Sequence, residues 1–132
     1  MDPKVWFMET RPQVLLLTPL VFSVGLAAAY VEGVFNVHRA LLGLVGVMLA
    51  HVSVNVINDY FDYRSGLDLK TRRTPFSGGS GILPTGRLDP KDVYLFAVGC
   101  LLLGGVIGVY FAFTVGWMIL PLLIVAVSTI YF

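Results

Sequence analysis

The stretch "ALLGLVGVMLAHVSVNVINDYFDYRSGLD", residues 40–68, changes abruptly from apolar to acidic. Residues 40–57 contain no Asp, Glu, Lys or Arg, whereas residues 58–68 contain three Asp and one Arg. About 20 apolar residues cross a bilayer as a helix, so the stretch predicts a membrane helix that ends in an acidic group. Ionisable groups at such a depth are costly unless they face a cavity or the interior of a helix bundle.

The composition of the whole chain also indicates a membrane protein. Its 132 residues are 57% hydrophobic and only 13% charged, with a mean hydropathy of +0.83. Soluble domains contain about 25% charged residues. The formal net charge of +1 gives no reason to expect a nucleic acid as partner, and one cysteine cannot build a disulfide framework.

Four apolar stretches predict an all-α protein with four transmembrane helices. They cover residues 13–31, 40–57, 93–114 and 117–132, and a long loop at 59–92 joins the second to the third. Helices are expected because an open chain can satisfy its backbone groups in lipid only in this way. The fourth stretch is still apolar at its last residue, so we expect the N-terminal half of a larger helical bundle.

The basic residues are distributed unevenly between the two sides that these spans define. Only Arg39 lies on the side of the first and third connections. This bias predicts that the N-terminus and the long loop are cytoplasmic in an integral protein of a prokaryotic cell membrane. The other eight are Lys4, Arg11, Arg64, Lys70, Arg72, Arg73, Arg87 and Lys91.

The acidic stretch carries candidate ligands at helical spacing. Asn55, Asp59 and Asp62 are spaced i, i+4 and i+7, and share one face if the helix continues through Asp62. Carboxylate and carboxamide oxygens suit Mg²⁺, which is often held together with substrate phosphates, and Arg binds phosphate oxygens directly. From the residues alone a metal–phosphate site, solvated interfacial charges and an ion pathway all remain open.

Three motifs resemble a known family. "NVINDYFDYRSGLD" at 55–68, "SGGSG" at 77–81 and "TRP" at 10–12 are similar to segments of the UbiA superfamily of intramembrane aromatic prenyltransferases, and most like its 1,4-dihydroxy-2-naphthoate branch. Asp68 follows Asp62 by six residues, whereas four is common in other branches. The resemblance implies a bundle of membrane helices in which Mg²⁺ holds a polyprenyl diphosphate between two aspartate motifs.

The resemblance also implies roles for individual residues. Asn55, Asp59 and Asp62 would form the catalytic group that binds Mg²⁺ and diphosphate. The implied reaction is prenyl transfer to an aromatic acceptor, 1,4-dihydroxy-2-naphthoate, in menaquinone biosynthesis. The implied substrate-binding residues are Arg11, Asn58, Asp68, Lys70, Arg72 and Arg73.

Two alternatives stay open beside this interpretation. One is a family member with another acceptor, such as 4-hydroxybenzoate, homogentisate or glyceryl phosphate. The other is a non-catalytic membrane module, such as half of a transporter. A second aspartate motif is expected in a later loop, so we expect the site to be completed by the C-terminal half of the same enzyme or by a complementing chain.

Three local patterns complete the sequence predictions. Asp89 and Pro90 are typical of a helix N-cap and first helical position. Gly104 and Gly108 are spaced for a close helix contact. His51 is interpreted as a packing histidine that is hydrogen-bonded across the bundle, with a substrate contact as the alternative.

Overall fold

The structure, a computed structural model, describes residues 2–68, 70, 74 and 78–131, although not the side chains of residues 130 and 131. In this part of the chain the fold is a set of helices joined by short connections and one long loop. The helices are α1 Pro3–Glu9, α2 Pro12–Leu15, α3 Leu17–Val31, α4 Val37–Ser65, α5 Pro90–Thr114 and α6 Ile119–Tyr131.

Three segments are long and apolar enough to cross a membrane. They are Pro12–Val31, which combines α2 with α3, and the helices α4 and α5. The helix α6 is apolar but shorter. A single residue, Leu16, separates α2 from α3, because the ring nitrogen of Pro19 has no hydrogen to donate to the preceding turn. The all-α membrane fold expected from the sequence is confirmed.

The predicted boundaries need correction around the acidic stretch. The helix α4 continues past Ile57 to Ser65, so the long loop covers 66–89 and not 59–92. No Gly or Pro lies between Ile57 and Gly66, and Gly66 ends the helix with a φ of 76°. Asp59 and Asp62 therefore lie on the last turns of a helix.

The other boundaries shift by up to three residues. The helix α4 begins at Val37 and not at residue 40, because the Asn36 side chain accepts a hydrogen bond from the Arg39 N–H at 3.0 Å. The helix α5 begins at Pro90 and not at residue 93, and the predicted Asp89 cap is confirmed by its 2.7 Å bond from the Lys91 N–H. The first span begins at 12 rather than 13, and α6 begins at 119 rather than 117.

Glycines allow α5 to pack closely on both of its neighbours. A Cβ added at Gly104 would lie 3.1 Å from the Gly46 carbonyl oxygen of α4, and one added at Gly108 would lie 2.5 Å from Leu123 of α6. The predicted close contact is confirmed, but the two glycines serve different helices. Close backbone approach at small residues is the usual way in which membrane helices gain packing energy.

The buried core lies at the acidic end of the bundle. Val56 and Ile57 of α4 pack with Val93 and Ala97 of α5 and with Leu83 of the long loop. Ile82 and Leu83 are only 2% and 3% exposed. The second half of the loop is therefore fixed between α4 and α5. This packing places residues 78–81, which we call the glycine-rich turn, over the end of α4.

A polar contact connects the first two spans. The Thr18 hydroxyl of α3 and Nδ1 of His51 on α4 are hydrogen-bonded at 2.5 Å. This confirms the expected hydrogen bond across the bundle. Buried polar groups in membrane helices need such partners, because lipid offers none.

The α4–α5 contact can be tested with two alanine substitutions. Gly104→Ala places a methyl against a backbone oxygen that cannot move aside, whereas Gly99→Ala meets no atom within 4 Å. Both gain the same helix propensity of about 1 kcal/mol. We expect Gly104→Ala to be less stable than Gly99→Ala by about 1–3 kcal/mol in detergent unfolding followed by circular dichroism. Equal stabilities would contradict the close packing.

Candidate active site

The N-terminal segment crosses the acidic end of α4. The helix α1 is held by Val5, which is buried, and by Trp6, whose ring packs edge-to-face on Phe96 of α5 with 5.1 Å between centroids. Arg11 then adopts a left-handed conformation with φ 57° and ψ 62°. This conformation is unusual for a residue other than Gly and costs about 1–2 kcal/mol. It turns the chain sharply into the first span directly above α4.

Asp59 is the most tightly held carboxylate on α4. It is only 2% exposed, and its Oδ2 accepts a 2.6 Å hydrogen bond from the Ser80 backbone N–H. The other oxygen, Oδ1, lies 3.7 Å from Nη1 of Arg11 and accepts no hydrogen bond from the described residues. One oxygen is thus fixed by the loop, while the other faces a cation and keeps its lone pairs.

Glu9, the last residue of α1, is a second buried carboxylate at this position. It is 0% exposed, and its Oε2 accepts a 2.6 Å hydrogen bond from the Ser80 hydroxyl. Burial raises the pKa of Glu9 from its usual 4.5 to about 7. The Ser80 hydrogen bond opposes this rise, while the Asp59 carboxylate adds to it. Glu9 therefore keeps its proton to a higher pH than a solvated Glu does.

Of the predicted metal-binding group, Asn55 and Asp59 lie on the buried face of α4 and Asp62 is half-buried one turn further on. The Asn55 side-chain amide donates a 3.0 Å hydrogen bond to the Thr10 carbonyl. Asn55 thus ties the N-terminal segment to α4 through its nitrogen. Asn58 is exposed, so burial separates it from Asn55 and Asp59.

Asp68 reaches the same region from the loop. It is 6% exposed, and its backbone N–H donates to the Asp62 carbonyl at 3.3 Å. A Cβ added at Gly79 would lie 2.6 Å from Oδ2 of Asp68, and Gly79 has a φ of 70°. The approach therefore requires Gly at this position on two grounds, space and backbone conformation.

The predicted basic residues divide into two groups. Arg11 contacts Asp59 directly, whereas Lys70 is exposed. Arg72 and Arg73 lie outside the described residues. Arg11 is thus the basic side chain that the described structure places against the acidic group.

The sequence predicted no individual role for Glu9, Thr10 or Ser80, although Thr10 and Ser80 lie in the motifs at 10–12 and 77–81. A signal was present for Glu9, since "VWFMETRP" at 5–12 carries a single acid between an apolar turn and Arg11. The contact itself joins residues 71 positions apart in the chain, which spacing along one helix cannot reveal.

The donor set fits a magnesium ion that is only partly coordinated by protein. The described residues contain no group of three or more His, Cys, Asp or Glu side chains placed to hold a metal. They do provide Asp59 and Asp62 at i, i+3 spacing, and a buried oxygen of Asp59 without a hydrogen bond. Mg²⁺ is commonly held by one or two carboxylates together with waters and substrate phosphates. The residues therefore fit an ion whose coordination a phosphate substrate completes.

Fold and site together define a multi-span helical membrane protein with a carboxylate group at one end of its second span. Residues 16–132 match the model of the UbiA prenyltransferase family. The chain therefore belongs to the UbiA prenyltransferase family.

Curated relatives are similar over parts of their length. UbiA prenyltransferase domain-containing protein 1 of Gallus gallus is 29% identical over 79% of this chain and 33% of its own length, and that of Rattus norvegicus is 33% identical over 80% and 32%. The 1,4-dihydroxy-2-naphthoate octaprenyltransferase of Escherichia coli K12 is 35% identical over 57% of this chain and 24% of its own length. The chain thus spans about a third or less of these relatives. No solved structure gives a significant match.

The role of Asn55 can be separated from that of its neighbour Asn58. Asn55→Asp removes the donor to the Thr10 carbonyl and places a charge in a buried position, so we expect a loss of about 1–3 kcal/mol of stability. Asn58→Asp makes the same chemical change at an exposed position and should cost less than about 0.5 kcal/mol. Thermal unfolding in detergent measures both. Similar losses for the two variants would be inconsistent with the hydrogen bond.

The raised pKa of Glu9 predicts a pH-dependent stability. Because folding raises this pKa from 4.5 to about 7, the folded state binds the proton more tightly than the unfolded state. The resulting stability is fully present below pH 4.5 and is lost as the pH rises through 7. Glu9→Gln should therefore gain stability relative to wild type between pH 5 and pH 8 in metal-free buffer. Parallel unfolding curves at all pH values would argue against a buried, ionisable Glu9.

Proposed function

We propose that the protein transfers a prenyl group from a polyprenyl diphosphate to an aromatic acceptor, with Mg²⁺ as cofactor, and that this chain supplies the first aspartate motif. The acceptor we propose is 1,4-dihydroxy-2-naphthoate, which would place the reaction in menaquinone biosynthesis. Family membership and the naphthoate octaprenyltransferase among the relatives support prenyl transfer in general. The finer assignment is our inference.

The observation that carries the proposal is the environment of Asp59. A buried carboxylate has one oxygen fixed by the Ser80 N–H and the other left beside Arg11. A second carboxylate, Asp62, follows one turn later. This arrangement matches what a metal-bound diphosphate requires, namely oxygens for the metal and a guanidinium for the phosphate.

In the proposed site, Asp59 and Asp62 would hold Mg²⁺, with Asp68 and Arg11 close by. The bound ion would neutralise the charge that develops on the diphosphate as it leaves. Arg11 would donate to diphosphate oxygens as the bond from prenyl C1 to oxygen breaks and the oxygen keeps the electron pair. An electron-rich ring carbon of the acceptor would then form a bond to C1. The ring would regain its aromaticity by losing a proton or, in a naphthoate acceptor, by losing its carboxylate as CO2, with the electron pair of the broken bond returning to the ring.

The apolar part of the substrate also has a suitable surface. A cavity of about 870 Å³ opens between α3, α4, α5 and α6, and its lining is almost entirely apolar. Ala50 is its lining residue nearest to Asp59 along α4, about 14 Å away at the helical rise. An isoprenoid tail that starts at the diphosphate would enter this cavity from the acidic end.

The position of the acidic group favours an enzyme over a transporter half. Ion sites of transporters lie near the middle of the membrane. Asp59 and Asp62 instead lie in the last two turns of α4, next to the N-terminal segment and the long loop. We infer that this end faces the cytoplasm of a prokaryotic cell, where a diphosphate substrate would reach it, because eight of nine basic residues are on this side.

Asp59→Asn tests the proposal in membranes that contain the protein expressed from its complete gene. With Mg²⁺, a polyprenyl diphosphate and 1,4-dihydroxy-2-naphthoate, we expect the variant to lose about 100-fold or more of the prenyl transfer rate. Asp92→Asn removes an exposed carboxylate at the start of α5 and should remain within about twofold of wild type. Prenyl transfer that survives in Asp59→Asn would rule out the metal–diphosphate assignment.

Parallel reactions with 4-hydroxybenzoate, homogentisate and glyceryl phosphate in place of the naphthoate identify the acceptor. A wild-type protein that uses another acceptor and rejects the naphthoate would overturn the acceptor but leave the family reaction standing.

A further inference from the structure

Ser80 makes two short hydrogen bonds to carboxylates from different parts of the chain. Its backbone N–H donates to Oδ2 of Asp59, and its hydroxyl donates to Oε2 of Glu9, both at 2.6 Å. We call this pair of bonds the Ser80 bridge. It joins the end of α1, the glycine-rich turn and the end of α4.

The Ser80 bridge is unusual because it gathers two buried acids around one small residue. Glu9 is 0% exposed and Asp59 is 2% exposed, so neither carboxylate is solvated by bulk water. Burial of acidic groups costs free energy that bonds to the charged or polar oxygens must offset. The bond from the Ser80 hydroxyl is what a carboxyl group at position 9 provides and an apolar side chain would not.

The glycine-rich turn around Ser80 depends on contacts with other parts of the chain for its position. The turn around Ser80 is built on Gly78, Gly79 and Gly81, which all have positive φ values between 70° and 84°. Such a turn has little conformational preference of its own. Besides the bond to Asp59 and the close approach of Asp68 to Gly79, the turn is held by the buried Ile82 and Leu83 that follow it and by Glu9.

The consequence reaches Asp59. If the turn is held in place, the Ser80 N–H occupies Oδ2 and leaves Oδ1 as the oxygen without a hydrogen bond among the described residues. If the turn moves, the carboxylate can rotate about its own side-chain bonds and pair with Arg11 through either oxygen. The orientation of the proposed metal ligand thus depends on a residue at the end of α1.

We propose that Glu9 is a positioning residue, which acts through Ser80 to hold the glycine-rich turn and to orient Asp59 so that Oδ1 is available to a cation. The inference rests on the proposed function for its link to Mg²⁺. The bridge itself is formed by residues of this chain alone. Groups that orient a metal ligand from behind commonly change metal affinity 10–100-fold when they are removed.

The first arm of the test measures amide hydrogen exchange of residues 78–87 in metal-free protein, expressed from its complete gene and purified in detergent. Glu9→Ala and Ser80→Ala each remove the hydroxyl–carboxylate bond, so both should lose protection in this segment. Glu9→Gln keeps an acceptor oxygen and should retain it. Glu32→Ala removes an exposed carboxylate at the far end of α3 and serves as the matched control.

The second arm measures the Mg²⁺ concentration that gives half-maximal prenyl transfer. Glu9→Ala and Ser80→Ala should raise it about tenfold, with kcat at saturating Mg²⁺ changed less than about threefold. The Ser80 hydroxyl also accepts a 3.2 Å hydrogen bond from the Ile82 N–H, so Ser80→Ala removes more than the bond to Glu9. The double variant should have the same Mg²⁺ requirement as Ser80→Ala alone, because Glu9 acts only through this hydroxyl. Glu9→Gln should restore the wild-type value.

The outcomes separate the inference from the proposed function. Unchanged exchange in Glu9→Ala would overturn the Ser80 bridge, and additive effects or a fall in kcat alone would overturn the positioning of Asp59. A wild-type protein whose transfer does not depend on Mg²⁺ would refute the proposed cofactor, and with it the link from Glu9 to the metal. Loss of protection with a raised Mg²⁺ requirement, reversed by Glu9→Gln, supports the inference in full.

Discussion

The acidic end of this protein depends on the contacts that the Asp59 carboxylate makes with Ser80 and Arg11. Its two oxygens are treated differently, since Oδ2 accepts the Ser80 N–H and Oδ1 faces Arg11. Three segments far apart in sequence must meet to form these contacts: the turn at Arg11, the end of α4 and the glycine-rich turn. The meeting is stable because Ile82 and Leu83 anchor the loop in the core, while Trp6 anchors α1 on Phe96. Apolar packing thus supplies the free energy that keeps polar groups in a costly arrangement.

Asp59 and Asp62 lie on a helix, whereas Asp68 reaches the same region from the loop. A helix fixes Asp59 and Asp62 at a constant separation, which is what a site that binds a substrate-completed metal ion requires. The loop then adds a backbone donor, and the N-terminal segment adds a guanidinium. Each component contributes one chemical function, and none of them would form the site alone. The chain belongs to the UbiA prenyltransferase family. The reaction and the substrates of this site are our proposal.

The length of the apolar stretches was sufficient to predict Pro12–Val31, α4 and α5 as spans, whereas the fourth stretch forms the shorter helix α6. Residue preferences predicted the Asp89 cap, and helical periodicity predicted the shared face of Asn55 and Asp59. Apolar length was not sufficient for the end of α4, because the apolar run stops at Ile57 while the helix continues through charged residues until Gly66. Hydropathy predicts which residues lie in the lipid, whereas the end of a helix is set by the backbone conformation of the residues there. Glu9 was beyond reach for a different reason, since its partner is 71 residues away and contact depends on the packing of α1. Asn58 lies three residues from Asn55, so only the observed burial shows that it faces another way.

In the site that we propose, Asp59 presents Oδ1 to a metal-bound diphosphate, while Ser80 bonds to its Oδ2 and Glu9 bonds to Ser80. A structure of the protein expressed from its complete gene, with Mg²⁺ and an unreactive prenyl diphosphate analogue, tests this most directly. We expect Oδ1 of Asp59 about 2.1 Å from the ion, with Oδ2 still bonded to the Ser80 N–H and Glu9 still bonded to the Ser80 hydroxyl. An ion bound away from Asp59, or a site in which the Ser80 bridge is broken while the metal is held, would contradict it.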